Sequence, residues 1–161
     1  MIEIVGLTRS LPAEVAGLVV EGERAGYRFV RRLLDDWHSG QNRFDREGEA
    51  LFGTRVGPAL VGVCGLNVDP HAGDAGIGRV RHLYVLEAWR GHGAGRRLVE
   101  RVLAAARPRF RELWLRTDSA AAAAFYERLG FRAISHSSAT HCWQFGDAHG
   151  GRGTCPWKSD K

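Results

Sequence analysis

Apolar residues recur along this chain with two periods, and the alternation between them marks out the elements. Ile2–Thr8 is a short apolar-rich run that predicts a first strand. From Pro12 to about Trp37 the apolar positions recur at helical spacing, which predicts two helices with Gly22 and Gly26 as the breaks between them. His38–Gly48 is polar and reads as a loop. Ala50–Val56 and Leu60–Val68 form a predicted hairpin around Gly57–Pro58. The stretch Asn67–Gly78, rich in Asp, Gly and Pro, is another loop, and Arg79–Leu86 is the next strand. A helix from about Gly93 to Arg107 places Gly95, Val99, Val102, Leu103 and Ala106 on one stripe, and Pro108 ends it.

Glu112–Thr117 reads as a strand. Asp118 or Ser119 can cap a helix over Ala120–Leu129, and Gly130 suits its C-terminal turn. Phe131–Ser135 and His141–Phe145 close the series, giving the order β-α-α-β-β-β-α-β-α-β-β. This is an α/β (α+β) domain around one sheet, expected over residues 1–146. Residues 147–161 are glycine-rich and polar and are expected to form a mobile tail.

The length of 161 residues suits one domain with a sizeable core. A net charge of +5 is carried almost wholly by arginine spread along the chain. That balance fits a phosphorylated cofactor, nucleic acid or no particular partner, and charge alone decides nothing. A nucleic-acid module would more often show a lysine-rich patch interleaved with aromatics, and no nucleic-acid partner is expected. Cys64, Cys142 and Cys155 include no C-x-x-C, so neither a disulfide framework nor a metal site is indicated. No apolar run is long enough to span a bilayer and no secretory pattern opens the chain, so a cytoplasmic protein without membrane contact is expected.

The densest chemistry lies in Trp89–Arg90–Gly91–His92–Gly93–Ala94–Gly95–Arg96–Arg97, where a predicted strand passes into a predicted helix. Glycines at alternate positions free the backbone there. The first N–H groups of the helix lack partners within it and lie at the positive end of its dipole, so the turn can hold a phosphate. About thirty residues later come Leu115–Arg116–Thr117–Asp118–Ser119 and Phe125–Tyr126–Glu127–Arg128–Leu129–Gly130–Phe131.

Together these motifs resemble the GNAT superfamily of acetyl-CoA-dependent N-acetyltransferases. Arg90-x-x-Gly93-x-Gly95 fits that family's pyrophosphate turn, and Phe125–Tyr126–Glu127 with Leu129–Gly130–Phe131 fits the helix that ends its acetyl-CoA site. The resemblance implies a mixed sheet of six to seven strands with about four helices, splayed by a bulge between its fourth and fifth strands. It implies that the amides from Gly91 to Arg96 hold the pyrophosphate, and that Leu83, Tyr84 and Val85 hold pantetheine and polarise the thioester carbonyl. Tyr126 is the matching position for the proton donor to the departing thiolate. The implied activity moves acetyl from acetyl-CoA, the acyl donor, to an amine by direct attack.

Ser119 stands where relatives often carry an asparagine that helps hold the cofactor. Near positions 79 and 81 many relatives place a carboxylate or histidine as base; here stand Arg79 and Arg81, and arginine cannot take a proton. Regular alternation puts Arg79, Arg81 and Leu83 on one face and His82 on the other. The arginines then form either a solvated rim or a site for an anionic group on the substrate. No short motif reports the acceptor, and the base is unassigned. Other readings are a catalytically inactive acyl-CoA-binding sensor and a basic nucleic-acid-binding module; a homodimer through the last strands is compatible with all of them.

Overall fold

The computed structural model describes residues 1–7 and 9–146. The expected tail over 147–161 lies outside the described residues, as does Thr8. The elements run β1 (Ile2–Gly6), α1 (Val15–Arg24), α2 (Phe29–Ser39), β2 (Ala50–Val56), β3 (Ala59–Val68), β4 (Ile77–Val85), a 3-10 turn (Glu87–Trp89), α3 (Ala94–Ala106), β5 (Glu112–Leu115), α4 (Ala120–Leu129), β6 (Arg132–Ala133) and β7 (His141–Gln144). All the strands lie in one sheet in the order β1-β2-β3-β4-β5-β7-β6. Only the β4–β5 pair is parallel. The architecture is the mixed α/β sheet with four helices that the sequence predicts.

Successive strand residues point to opposite faces, and each face is roofed by its own helix pair. Phe52 and Cys64 join Leu98, Val99, Val102 and Tyr126 in the cluster under α3 and α4. Their chain neighbours Leu51 and Val63 join Val15, Leu18, Val30 and Leu33 under α1 and α2. Among the described residues no helix is long and apolar enough to cross a membrane.

Three local features depart from the periodicity. Gly22 does not break a helix: it is buried inside α1, facing Val30 of α2 and the Tyr84 ring. The break falls at residues 25–28 instead, where Gly26 takes φ +89°. Strand β4 starts at Ile77, two residues earlier than expected, and the 3-10 turn after it has no signal in the apolar pattern. The third feature is a β-bulge. Val63 pairs with Tyr84 and Gly65 with Arg81, so Cys64 alone faces both His82 and Leu83, and His82 takes φ +60° to absorb the extra residue.

Candidate functional site

β4 pairs with β5 only through Ile77, Gly78 and Arg79. Beyond that point the two strands part. At the end of β5, the Leu115 carbonyl accepts instead from the Thr140 N–H at 2.9 Å, and the Thr117 N–H donates to the Thr140 Oγ1 at 3.0 Å. β4 stays bonded to β3 on its other edge: the Leu86 N–H donates to Val61 O at 2.8 Å, and Tyr84 is in register with Val63. Alternation along an antiparallel ladder therefore turns the Tyr84 backbone toward β3 and those of Leu83 and Val85 toward the opening. Of the three residues singled out in the sequence, Leu83 and Val85 line the opening with backbone groups. The Val85 carbonyl is taken by Arg90 Nε at 2.9 Å, which leaves the N–H.

The glycine turn closes the upper end of this opening. Gly91 and Gly93 take φ +78° and +85°, with nothing within 4 Å of where a Cβ would stand. Such angles are costly for residues with a Cβ. Gly93 is the N-cap of α3 and offers no capping side chain. Among the described residues, no N–H from Gly91, His92, Gly93, Ala94, Gly95 or Arg96 donates to a protein acceptor; the first that does is Arg97, to Gly93 O at 3.0 Å. A run of unmatched donors at the positive end of a helix suits a diphosphate. The flanking side chains are occupied: Arg96 pairs with Glu100 at 2.8 Å, and Arg97 donates to Ile2 O at 2.6 Å.

Tyr126 lies on the inner side of α4 and is 7% exposed, packed edge-on against Phe125 and Phe131 at centroid distances of 5.2 and 5.3 Å. Burial, and secondarily Cys64, raise its pKa well above that of an ordinary phenol. Cys64, itself pushed up to about 12 by burial, is the β3 residue opposite the bulge, so Tyr126 lies near the bulge of β4. Ser119 caps α4: its Oγ accepts from the Ala122 N–H at 3.2 Å and keeps its own proton to donate. Glu127 on the next position of α4 meets His141 Nε2 of β7 at 3.2 Å, which fixes the helix to the sheet.

The bulge reverses the alternation expected of β4. Leu83 packs with Val80 in the cluster under α3 and α4. Arg81 and His82 instead share the α2 side, where Arg81 feels Arg32 and Asp36, and the His82 ring meets Phe44 edge-on at 6.1 Å. His82 thus stands beside Arg81 rather than opposite it. The two arginines also differ. Arg79 is neither on a solvated rim nor open to a ligand at its terminal nitrogens: they donate to Asp69 Oδ2 at 2.8 Å and to Ser138 O at 2.6 Å. Arg81 is half-buried and has no such partner among the described residues.

Glu21 of α1 was not anticipated. Its Oε2 accepts from the Tyr84 hydroxyl at 2.5 Å and from the Glu87 N–H at 3.1 Å. Burial and then Glu21 push the Tyr84 phenol up to about 12. A groove between β1 and α3, lined by Ile2, Ile4, Arg97 and Arg101, sits at the sheet edge and gathers no comparable chemistry.

A family model described as Acetyltransferase (GNAT) family matches residues 18–131. A candidate acetyltransferase from Exiguobacterium sp. 255-15 superposes with a TM-score of 0.80 and 27% identity, over 89% of this chain and 93% of that one. A GNAT-family acetyltransferase from Staphylococcus aureus Mu50 gives 0.69 and 16%, over 88% and 96%. One from Brucella melitensis, in complex with acetyl-CoA, gives 0.64 and 19%, over 91% and 90%. The last two share the fold. No curated protein sequence matches at a significant level.

Proposed function

As the chain belongs to the acetyltransferase (GNAT) family, we propose that it moves an acetyl group from acetyl-CoA to an amine that attacks the thioester directly. The observation that carries this reading is the run of unmatched N–H groups from Gly91 to Arg96 at the mouth of the β4–β5 opening. Acetyl-CoA supplies the activated acyl group when bound. The Gly91–Arg96 amides hold its diphosphate without a counter-charge from any side chain. The Leu83 and Val85 backbone groups hold the pantetheine arm, and an N–H among them polarises the thioester carbonyl. Ser119 contributes its free hydroxyl proton.

Tyr126 keeps its proton at neutral pH, because burial disfavours the phenolate, and hands it to the departing sulfur. Tyr126→Phe tests this assignment. Thiol release from acetyl-CoA with an amine panel is expected to fall about 100-fold or more, with acetyl-CoA affinity within about twofold of the parent. Unchanged turnover would remove Tyr126 from the mechanism. A second reading, acyl-CoA binding without turnover, draws on the depth at which Tyr126 is packed. Tight acetyl-CoA binding with no thiol release from any amine would select it.

A further inference from the structure

The α2 side of β4 holds groups that acetyl transfer, as derived above, leaves unused. Arg81 is half-buried, and no carboxylate closes an ion pair with it among the described residues. Burial and the neighbouring Arg79 and Arg32 disfavour its charge more than Asp36 and Asp69 support it. A guanidinium does not shed its proton, so a poorly solvated cation stands there without a counter-ion.

His82, the next residue, is 8% exposed; neither ring nitrogen makes a well-formed hydrogen bond, and only the Phe29 backbone lies near enough to favour its charge in part. Buried imidazoles ordinarily find partners, and non-glycine residues rarely take φ +60°. Unsatisfied polarity and backbone strain thus coincide at one position, a pairing that marks ligand sites. The ring is neutral, since burial holds its pKa near 3. Its Cα is one residue from Leu83, whose backbone lines the opening. Above it, Phe29 and Tyr27 form an aromatic wall with centroids 5.5 Å apart.

We propose that this face binds the acceptor, and that the acceptor is an amine carrying an oxyanion, either carboxylate or phosphate. Arg81, backed by Arg32, holds the oxyanion; His82 accepts a hydrogen bond from the amine. The inference rests on the acetyl-transfer reading for the amine but not for the anion, so the two can fail separately.

The test is calorimetric binding to the CoA-loaded protein, with thiol release measured in parallel. The probes are phenylalanine against phenethylamine, tyrosine against tyramine, and O-phosphoethanolamine against ethanolamine. The oxyanion-bearing member of the carboxylate or phosphate pairs is expected to bind at least about tenfold tighter, and whichever pair shows the larger ratio identifies the anion. Arg81→Met is expected to abolish the preference and Arg81→Lys to restore part of it. His82→Asn, chosen because asparagine tolerates the left-handed backbone, is expected to weaken both members of a pair equally. Equal binding within every pair, or a preference that survives Arg81→Met and Arg32→Met, would overturn the proposal. A preference that persists without thiol release would support the anion site and tell against acetyl transfer.

Discussion

The two halves of β4 carry an arginine each, two residues apart, and treat them oppositely. In the lower half, Ile77–Arg79, the strand is paired on both edges and the Arg79 guanidinium is locked between Asp69 and Ser138. Beyond Arg79 the edge that faced β5 is open, and Arg81, the last residue before the bulge, has no ion-pair partner among the described residues. A strand held on both sides has used its hydrogen-bonding capacity on the fold. The same strand released on one side has that capacity left for a ligand. One regime gives way to the other just past Arg79, where pairing with β5 ends, and the bulge at His82 follows within three residues.

The contrast is broken most severely from below. Asp69→Ala strands a buried guanidinium and also removes the acceptor for the His71 and Ala72 N–H groups. Urea unfolding is expected to show a loss of about 3–5 kcal/mol. Arg81→Met removes a cation that no carboxylate contacts directly and that Asp36 and Asp69 support only in part, and its stability is expected to stay within about 0.5 kcal/mol of the parent. Equal losses in the two variants would erase the distinction.

The bulge itself has a pH signature. His82 titrates near 3 in the folded chain against its ordinary 6.5, because burial, then Arg81 and Arg32, oppose its charge while the Phe29 backbone supports it in part. The unfolded chain therefore binds the proton first. This contribution is fully favourable above about pH 6.5, declines as pH falls toward 3, and is flat below that. Urea midpoints at pH 7 and pH 4.5 should differ less in His82→Asn than in the parent. An unchanged difference would place the acid sensitivity elsewhere.

A last, local effect sharpens the boundary at the top of the opening. Gly93→Ala meets no steric neighbour, so only the backbone angle of +85° opposes it. A loss of about 1 kcal/mol is expected by thermal unfolding, together with weaker acetyl-CoA binding. Undiminished binding would mean that the turn tolerates a reorientation of its amides.

Much of this was legible in the residues. Helical spacing, the Gly57–Pro58 hairpin and the Ser119 cap gave the element order because each rests on interactions within a few residues. The glycine turn into α3 was legible for the same reason: its glycines and the helix start are contiguous. What escaped depends on pairing across the sheet. An inserted residue at His82 shifts every later side chain to the other face, so strict alternation put His82 on the wrong side of β4 and Leu83 with the arginines. Arg79 was read as a surface or ligand-binding group because its partner Asp69 sits in a loop ten residues away with no motif to announce it. Gly22 looked like a helix stop because glycine disfavours helix locally, but α1 runs through it, its buried face packed on α2 and β4.

Glu21 reaches from the first helix to two points that bracket the end of β4, the Tyr84 hydroxyl and the Glu87 amide. The first helix and the 3-10 turn leading into the glycine-rich bend thus hang from one oxygen atom. Any homologue lacking an acid there must either find a new tie for both or let them drift independently.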